Sequence, residues 1–388
     1  MQFPLSNEVS KYFEKSDETT LKSLFTITEG LFEAKSTNLN KVKLEMGRVR
    51  EKPETNEESH YKFMLRFFDL SEDEKRHLIQ GLLVMIFLKL KVHQSKKRYL
   101  LLDGLSWEHG KKKVHLLVLG ILIGDVNIPI YWRELDKKGT SNLEERKSVI
   151  DGAFELFDLK GYILLADREY HGEGWFKYLI DKGLEFDIRL KKGCYRNQVD
   201  ALSGEKITGN FIQKSRYSRL EKLAYQNKYK TCGVSKVVKI GGRKLTFVVF
   251  KNPKPDAEEP LIYLLSTLTK KKHIVKAYGL RWKIETCFKN LQSNGFDLSK
   301  NGFTDTIKIE LLMAMVVLLY VFAFVEGTHR YKTIKPSDLK KYKDGTVYLA
   351  VSIFRKGMAV MINKFHNART FFDYINRNWN QQNIILRI

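Results

Sequence analysis

The feature that most constrains this chain is the change of hydrophobic period at Tyr99. Three apolar runs follow with no room for a helix between them: YLLLD from Tyr99 to Asp103, VHLLVLGILIG from Val114, and VNIPIYW from Val126. Gly110 and Asn127 mark the turns, so the runs read as consecutive buried strands. SNLEERKSVIDGAFELF, Ser141 to Phe157, then switches to helical spacing, with a serine cap and Leu143, Val149, Ile150, Phe154 and Phe157 as core positions. GYILLAD is a short apolar strand ending in Asp167, HGEGWFKYLIDKG a helix stopping at Gly183, and EFDIRL a fifth strand.

Three strands, a crossover helix and a fourth strand parallel to the first predict an RNase H-like α/β fold, a mixed sheet flanked by helices. Residues 1–95 read as helices, with helical spacing from Asp17 to Leu31 and Leu39 to Val49 and a capped start at Ser71 for a helix through Leu90. The basic cluster Lys96, Lys97, Arg98 closes that region, which is the candidate DNA-binding part. The core therefore runs over 96–192 and resumes at 268–328, interrupted by a β-rich insertion at 193–267. In that insertion Gly241-Gly242 supplies a two-residue hairpin turn, LIYLLST adds a strand, and Asn252 to Pro260 is a loop. Leu311 to Val325 is apolar throughout but shorter than the roughly 20 residues of a bilayer span. It is expected to be a central buried helix, with no membrane partner. GTHRYKTIKPSD, Gly327 to Asp338, reads as a loop, and residues 329–388 as a helical C-terminal region with short helices over Leu349 to Asn363 and Phe371 to Asn378, in contact with DNA or a second subunit.

The charge narrows the partner. With 68 Lys and Arg against 45 Asp and Glu, the net charge of +23 favours a polyanion, nucleic acid first. Cys194, Cys232 and Cys287 lie far apart, which argues against a disulfide framework or a cysteine zinc site. The N-terminus has no apolar stretch after a basic start, so a cytoplasmic location is expected.

Two of the strands end in acids, Asp103 before Gly104 and Asp167 before Arg168. A carboxylate at the end of a buried strand is costly unless paired or metal-bound, and the topology makes these two strands neighbours. Glu285 stands on the helix YGLRWKIETCFKNLQ, Tyr278 to Gln292, where Tyr278, Arg281, Glu285, Lys289 and Gln292 fall on one polar face. The three acids together make an oxygen cage suited to Mg²⁺ or Mn²⁺. Asp125, Asp136 and Glu108 are weaker substitutes for the first acid. Trp282, at the edge of the polar face, can stack on an unpaired base or pack against the insertion. Arg168 is placed to orient a neighbour or touch DNA, and His171 reads as a helix-start residue.

DREY from Asp167, with Y-x-x-R-W-x-I-E-x-x-x-K from Tyr278 to Lys289, resembles the bacterial insertion-sequence DDE transposases of the Y-R-E-K group, also called the insertion sequence four group. The likeness runs from about Arg98 to Val325. It implies that Asp103, Asp167 and Glu285 are the catalytic triad, binding two Mg²⁺ ions, and that Tyr278 and Arg281 hold the DNA backbone. The lysine this family carries seven residues after the Glu is Gln292 here, a departure for which Lys289 can compensate. The implied function is cut-and-paste transposition: cleavage at terminal inverted repeats through hairpin ends and joining of the 3′-OH to target DNA, by a homodimer on double-stranded DNA. The alternatives are another RNase H-like nuclease or integrase, and a catalytically inactive DNA-binding relic.

Overall fold

A computed structural model describes residues 6–90, 98–109, 112–135, 139–192, 233–253, 257–342 and 345–380, with 137, 194 and 224. Lys96, Lys97, Gly110, Asp136, Cys232, part of the Asn252–Pro260 loop and residues 381–388 lie outside them.

After short helical turns at Asn7–Ser10 and Lys11–Phe13, four longer helices follow: α1 (Glu18–Ala34), α2 (Leu39–Val49), α3 (Glu57–Phe68) and α4 (Glu72–Lys89). Each starts where a short polar side chain satisfies a free backbone N–H. Asp17 accepts from Thr20, Asn38 from Asn40 and Asn56 from Ser59, while Ser71 and Glu74 bond reciprocally.

The sheet strands are β1 (Tyr99–His109), β2 (Lys112–Ile123), β3 (Val126–Glu134), β4 (Ile163–Ala166), β5 (Glu185–Leu190), β6 (Val234–Ile240), β7 (Arg243–Lys251) and β8 (Leu261–Ser266). Their order is β3-β2-β1-β4-β5-β8-β7-β6. β1 pairs antiparallel with β2 and parallel with β4, and β4 pairs parallel with β5, the arrangement of an RNase H-like sheet. α5 (Leu143–Leu156) makes the crossover between β3 and β4, and α6 (Glu173–Asp181) the next. The cap of α5 is Asn142, paired with Glu145, rather than Ser141. Ser141 instead accepts from the buried Arg146 guanidinium through its hydroxyl and its carbonyl.

The described strands of residues 193–267 continue this same sheet. β8 runs antiparallel to β5, and β7 and β6 follow outward. The Gly241-Gly242 turn forms as expected, both residues having the positive φ of 55° and 79° that the two-residue hairpin demands.

After α7 (Lys271–Gly279) and α8 (Lys283–Lys289) comes α9 (Thr306–Arg330), long and apolar enough to cross a membrane, yet with its most apolar window wholly buried inside the protein. α10 (Ile353–Ile362) packs against it at Gly327 and Gly357, where a Cβ would meet the opposing backbone at 2.0 and 1.6 Å. α11 (Ala368–Asn380) and the link before it return to the N-terminal helices: Phe372 of α11 packs on Phe25 and Phe365 of the link on Phe32, with ring centres 5.8 and 5.3 Å apart. The two chain ends and the sheet thus share one apolar core. Between α9 and α10 lies a hairpin that the sequence reading left unassigned, apart from placing Leu349 at the start of a helix: β9 (Leu339–Lys341) with β10 (Val347–Leu349). Three-residue strands are too short to show a period of two, which is why it escaped.

Candidate active site

The register of β1 and β4 brings the first two acids together. Their parallel pairing ends at Leu102 opposite Ala166, so Asp103 and Asp167 are the next residues along two adjacent strands. β1 itself does not stop at Asp103, as the sequence suggested, but runs on to His109 against β2. Asp103 therefore sits mid-strand, at the point where its neighbour on the other side has turned away. Gly104 is needed there, because a Cβ would lie 2.7 Å from the His115 ring.

Glu285 arrives from the other side of the site on α8. The stretch from Tyr278 to Gln292 is not one uniform helix: α7 ends at Gly279, Leu280–Trp282 form a 3₁₀ turn, α8 follows, and Asn290–Asn294 form a π turn. Changes of helical pitch re-aim side chains relative to an even 100° spacing. Tyr278 and Arg281 are turned inward, each only 4% exposed, while Trp282 is 45% exposed.

At the centre stands the Arg281 guanidinium. It reaches Asp103 Oδ2 at 3.3 Å, Asp167 Oδ2 at 3.7 Å and Glu285 Oε1 at 3.0 Å. Three acids separated by up to 182 positions along the chain, from Asp103 to Glu285, thus share one cation. Burial pushes the Asp103 carboxyl up to about 6, against the opposing pull of Arg281. Burial also works against the charge of Arg281, but Asp167, Tyr278, Asp103 and Glu285 outweigh it and its pKa is raised.

Further groups fix the second acid. Asp167 Oδ1 accepts from the Arg168 backbone N–H at 2.7 Å and from the Tyr278 hydroxyl at 3.4 Å. Arg189 on β5 lies 3.8 Å from the same oxygen, and Glu259 holds both Arg189, at 2.6 Å, and Arg168, at 2.8 Å. The sequence reading missed Arg189 and Glu259. Arg189 follows Ile188, the partner of Ala166, so a parallel β4–β5 pairing would have pointed to it. Glu259 lies at the end of a loop, where no periodic signal exists.

The remaining candidates are more peripheral. Lys289 is exposed one turn beyond Glu285, and Gln292 donates to the Ser106 carbonyl at 3.3 Å. Arg168 is exposed apart from its pairing with Glu259. His171 is 2.8 Å from the Arg168 carbonyl, a local loop contact. Asp125 pairs with Lys283 and Glu108 with Lys113, so neither substitutes for Asp103 at the cluster.

In chemistry the three carboxylates fit a hard divalent cation, and the raised pKa of Asp103 marks an acid whose ionised form needs a nearby positive charge. In position they are gathered on Arg281, and among the described residues no three His, Cys, Asp or Glu, these acids included, stand close enough together to hold a metal ion.

Residues 90–322 match the family model of the transposase DDE domain. Among solved structures the chain is similar to a piggyBac transposase synaptic complex with hairpin DNA, at 11% identity and a TM-score of 0.44, over 99% of this chain and 82% of that one. It is also similar to an endonuclease V from Bacillus subtilis, at 10% identity and a TM-score of 0.25, over 66% and 94% respectively. No curated protein matches the sequence.

Proposed function

The chain belongs to the transposase DDE domain family, and from that premise we propose that it cuts the terminal inverted repeats of a mobile element and joins the freed 3′-OH ends to target DNA. The observation that carries this reading is the meeting of Asp103, Asp167 and Glu285 around one guanidinium. Remote carboxylates are brought together, at a desolvation cost, where a cation is to be held.

On this reading Asp103, Asp167 and Glu285 would hold two Mg²⁺ or Mn²⁺ ions. Bound there, such ions would supply a lowered pKa for an attacking water and charge stabilisation for a leaving 3′ oxygen. The protein's own groups do the positioning. The Arg168 N–H and the Tyr278 hydroxyl fix one oxygen of Asp167, which leaves its other oxygen directed toward Arg281. Arg281 and Tyr278 are the groups to meet a backbone phosphate, Arg281 by exchanging carboxylates for phosphate oxygens, which a guanidinium fork binds in the same geometry. The exposed indole of Trp282, with Arg281 4.9 Å from its ring centre, is suited to stack on an unpaired base beside the cut, as a hairpin route of excision would require. Lys289, Gln292 and Arg168 border the site for DNA contacts. Two element ends must be joined together, so the working assembly is a homodimer, acting in a bacterial cytoplasm.

The test is strand transfer by the purified chain with Mg²⁺ on duplexes with and without terminal inverted repeats. Joining that requires the repeats and is lost in Asp103→Ala, with DNA binding retained, supports the reading. Cleavage indifferent to the repeats, or undiminished in Asp103→Ala, overturns it.

A further inference from the structure

The segment between α9 and α10 is built unlike the rest of the molecule. The described residues of 332–352 are exposed almost without interruption. Among the described residues, six of the ten exposed large apolar side chains fall within it: Ile334, Leu339, Tyr342, Val347, Tyr348 and Val351, each 40–59% exposed. The β9–β10 pairing sets Lys340 opposite Tyr348 and Lys341 opposite Val347. By alternation Lys340, Tyr342 and Tyr348 share one face, and Leu339, Lys341, Val347 and Leu349 the other. Both faces carry apolar groups and neither is covered. Its base is clasped, with the Tyr331 hydroxyl donating to the Val351 carbonyl at 2.9 Å. A two-stranded ribbon alone is marginal in water, and apolar groups clustered on a surface mark a contact site.

We propose that this ribbon is an arm that lies along duplex DNA beside the cut site. The inference rests on the DNA-cutting reading above. The charge selects the partner: Lys332, Lys335, Lys340 and Lys341 are exposed on the arm, and its one described acid, Asp338, is turned back to accept from the Lys335 backbone N–H at 3.0 Å. A second copy would bring the same four lysines against these, whereas phosphates complement them. The shape selects the same partner, because the major groove of B-DNA admits a two-stranded ribbon. The Tyr342 and Tyr348 rings, 5.5 Å apart and edge to face, with the Lys340 ammonium 5.5 Å from the Tyr342 centre, present apolar edges to sugars and bases beside a charge for the backbone. The placement is also right. The arm returns to the body at Phe354, which packs on Phe296, and whose ring would lie 2.7 Å from a Cβ at Gly295. Gly295 follows the helical stretch that carries Glu285, ten residues earlier, a helical run of roughly 15 Å. The root of the arm thus lies about the length of four to five base pairs, at ~3.4 Å each, from the residue that bears the third carboxylate.

The experiment measures the affinity of the full-length chain for a random-sequence duplex over a range of salt, against Lys340→Ala/Lys341→Ala and Tyr342→Ser/Tyr348→Ser. Loss of two phosphate contacts is expected to flatten the slope of log K against log salt by ~2 and to weaken binding about tenfold at low salt. The tyrosine pair is expected to shorten the hydroxyl-radical footprint on one side of the cut. A photo-crosslinking residue at position 348 in the otherwise unaltered chain reads the contact without depending on either variant's stability. Crosslinks to DNA support the arm. Crosslinks to a second protein copy, or slope, affinity and footprint unchanged in both variants, overturn it while leaving the active-site reading intact. A wild-type chain that binds no duplex sinks both.

Discussion

Two sets of acids in this molecule have opposite surroundings. Asp103, Asp167 and Glu285 sit where strands and a helix turn meet, partly open to water at 21%, 27% and 43% exposure, and all three face Arg281. Glu29 on α1 and Asp187 on β5 are fully buried, and none of their carboxyl oxygens has a hydrogen-bond partner among the described residues. Desolvation drives Glu29 up to about 9 and Asp187 well above the usual carboxylate range. The contrast shows what separates an acid kept for its charge from one tolerated as a neutral side chain. The first needs a cation within reach and some access to water, whereas the second adapts by keeping its proton.

The largest effect that would sharpen the contrast is on turnover. Asp167→Asn or Glu285→Gln is expected to lower DNA cleavage by ~10³-fold or more and to leave duplex affinity within about threefold, read by single-turnover cutting and by anisotropy. Cleavage near the wild-type rate in either variant would remove that acid from the working set.

Arg281→Met tests whether the guanidinium holds the cluster together. Removing it leaves three carboxylates in mutual repulsion, and a loss of about 2 kcal/mol is expected. That is less than the ~3–5 kcal/mol of a fully buried pair because Glu285 is solvated. Mn²⁺ should recover part of the lost melting temperature in this variant and give a smaller rise in wild type. Equal shifts in the two proteins would show that the ion and the guanidinium do not share the same acids.

The pH dependence of stability should reflect Glu29. Its folded pKa of about 9 against an ordinary 4.5 means that the folded chain keeps a proton the unfolded chain has released. Stability from this group is greatest at low pH and falls as pH rises between those values, at up to ~1.4 kcal/mol per unit. Glu29→Gln should therefore melt higher than wild type at pH 8 and show a flatter decline from pH 5 to 9. A parallel displacement of the two curves would place the pH dependence elsewhere. The smallest change is expected for Asp187→Asn, within about 1 kcal/mol by denaturant unfolding, because a neutral amide replaces a neutral acid. A loss of several kcal/mol would mean that Asp187 is ionised and paired.

Much of this architecture was legible because its signals are local. Ser71 with Glu74, the Gly241-Gly242 turn, the strand runs from Tyr99 and the apolar stretch of α9 each declare themselves within a few residues. The three acids could be picked out for a related reason: a carboxylate beside an apolar strand stands out against its neighbours. Other features depend on partners distant in the chain. The union of β8 with β5 made one sheet of what read as a core and an insertion, and it brings Glu259, just before β8, to Arg189, while the β4–β5 register sets Arg189 beside Asp167.

By itself the sequence determined most of the strands and helices and where most of them begin, favoured a polyanion as the partner, and showed which acids were worth joining. Periodicity, capping and charge are properties of neighbouring residues, and they survive being read one window at a time. Only the folded chain decided that Arg281 points into the three carboxylates rather than outward along a polar face, because a 3₁₀ turn between α7 and α8 sets its direction and the β1–β4 register sets its targets. Likewise it took the packing of α10 on α9 to leave the described residues of 332–352 standing clear of the core. Direction and exposure are fixed by what lies across space, and no local pattern encodes that.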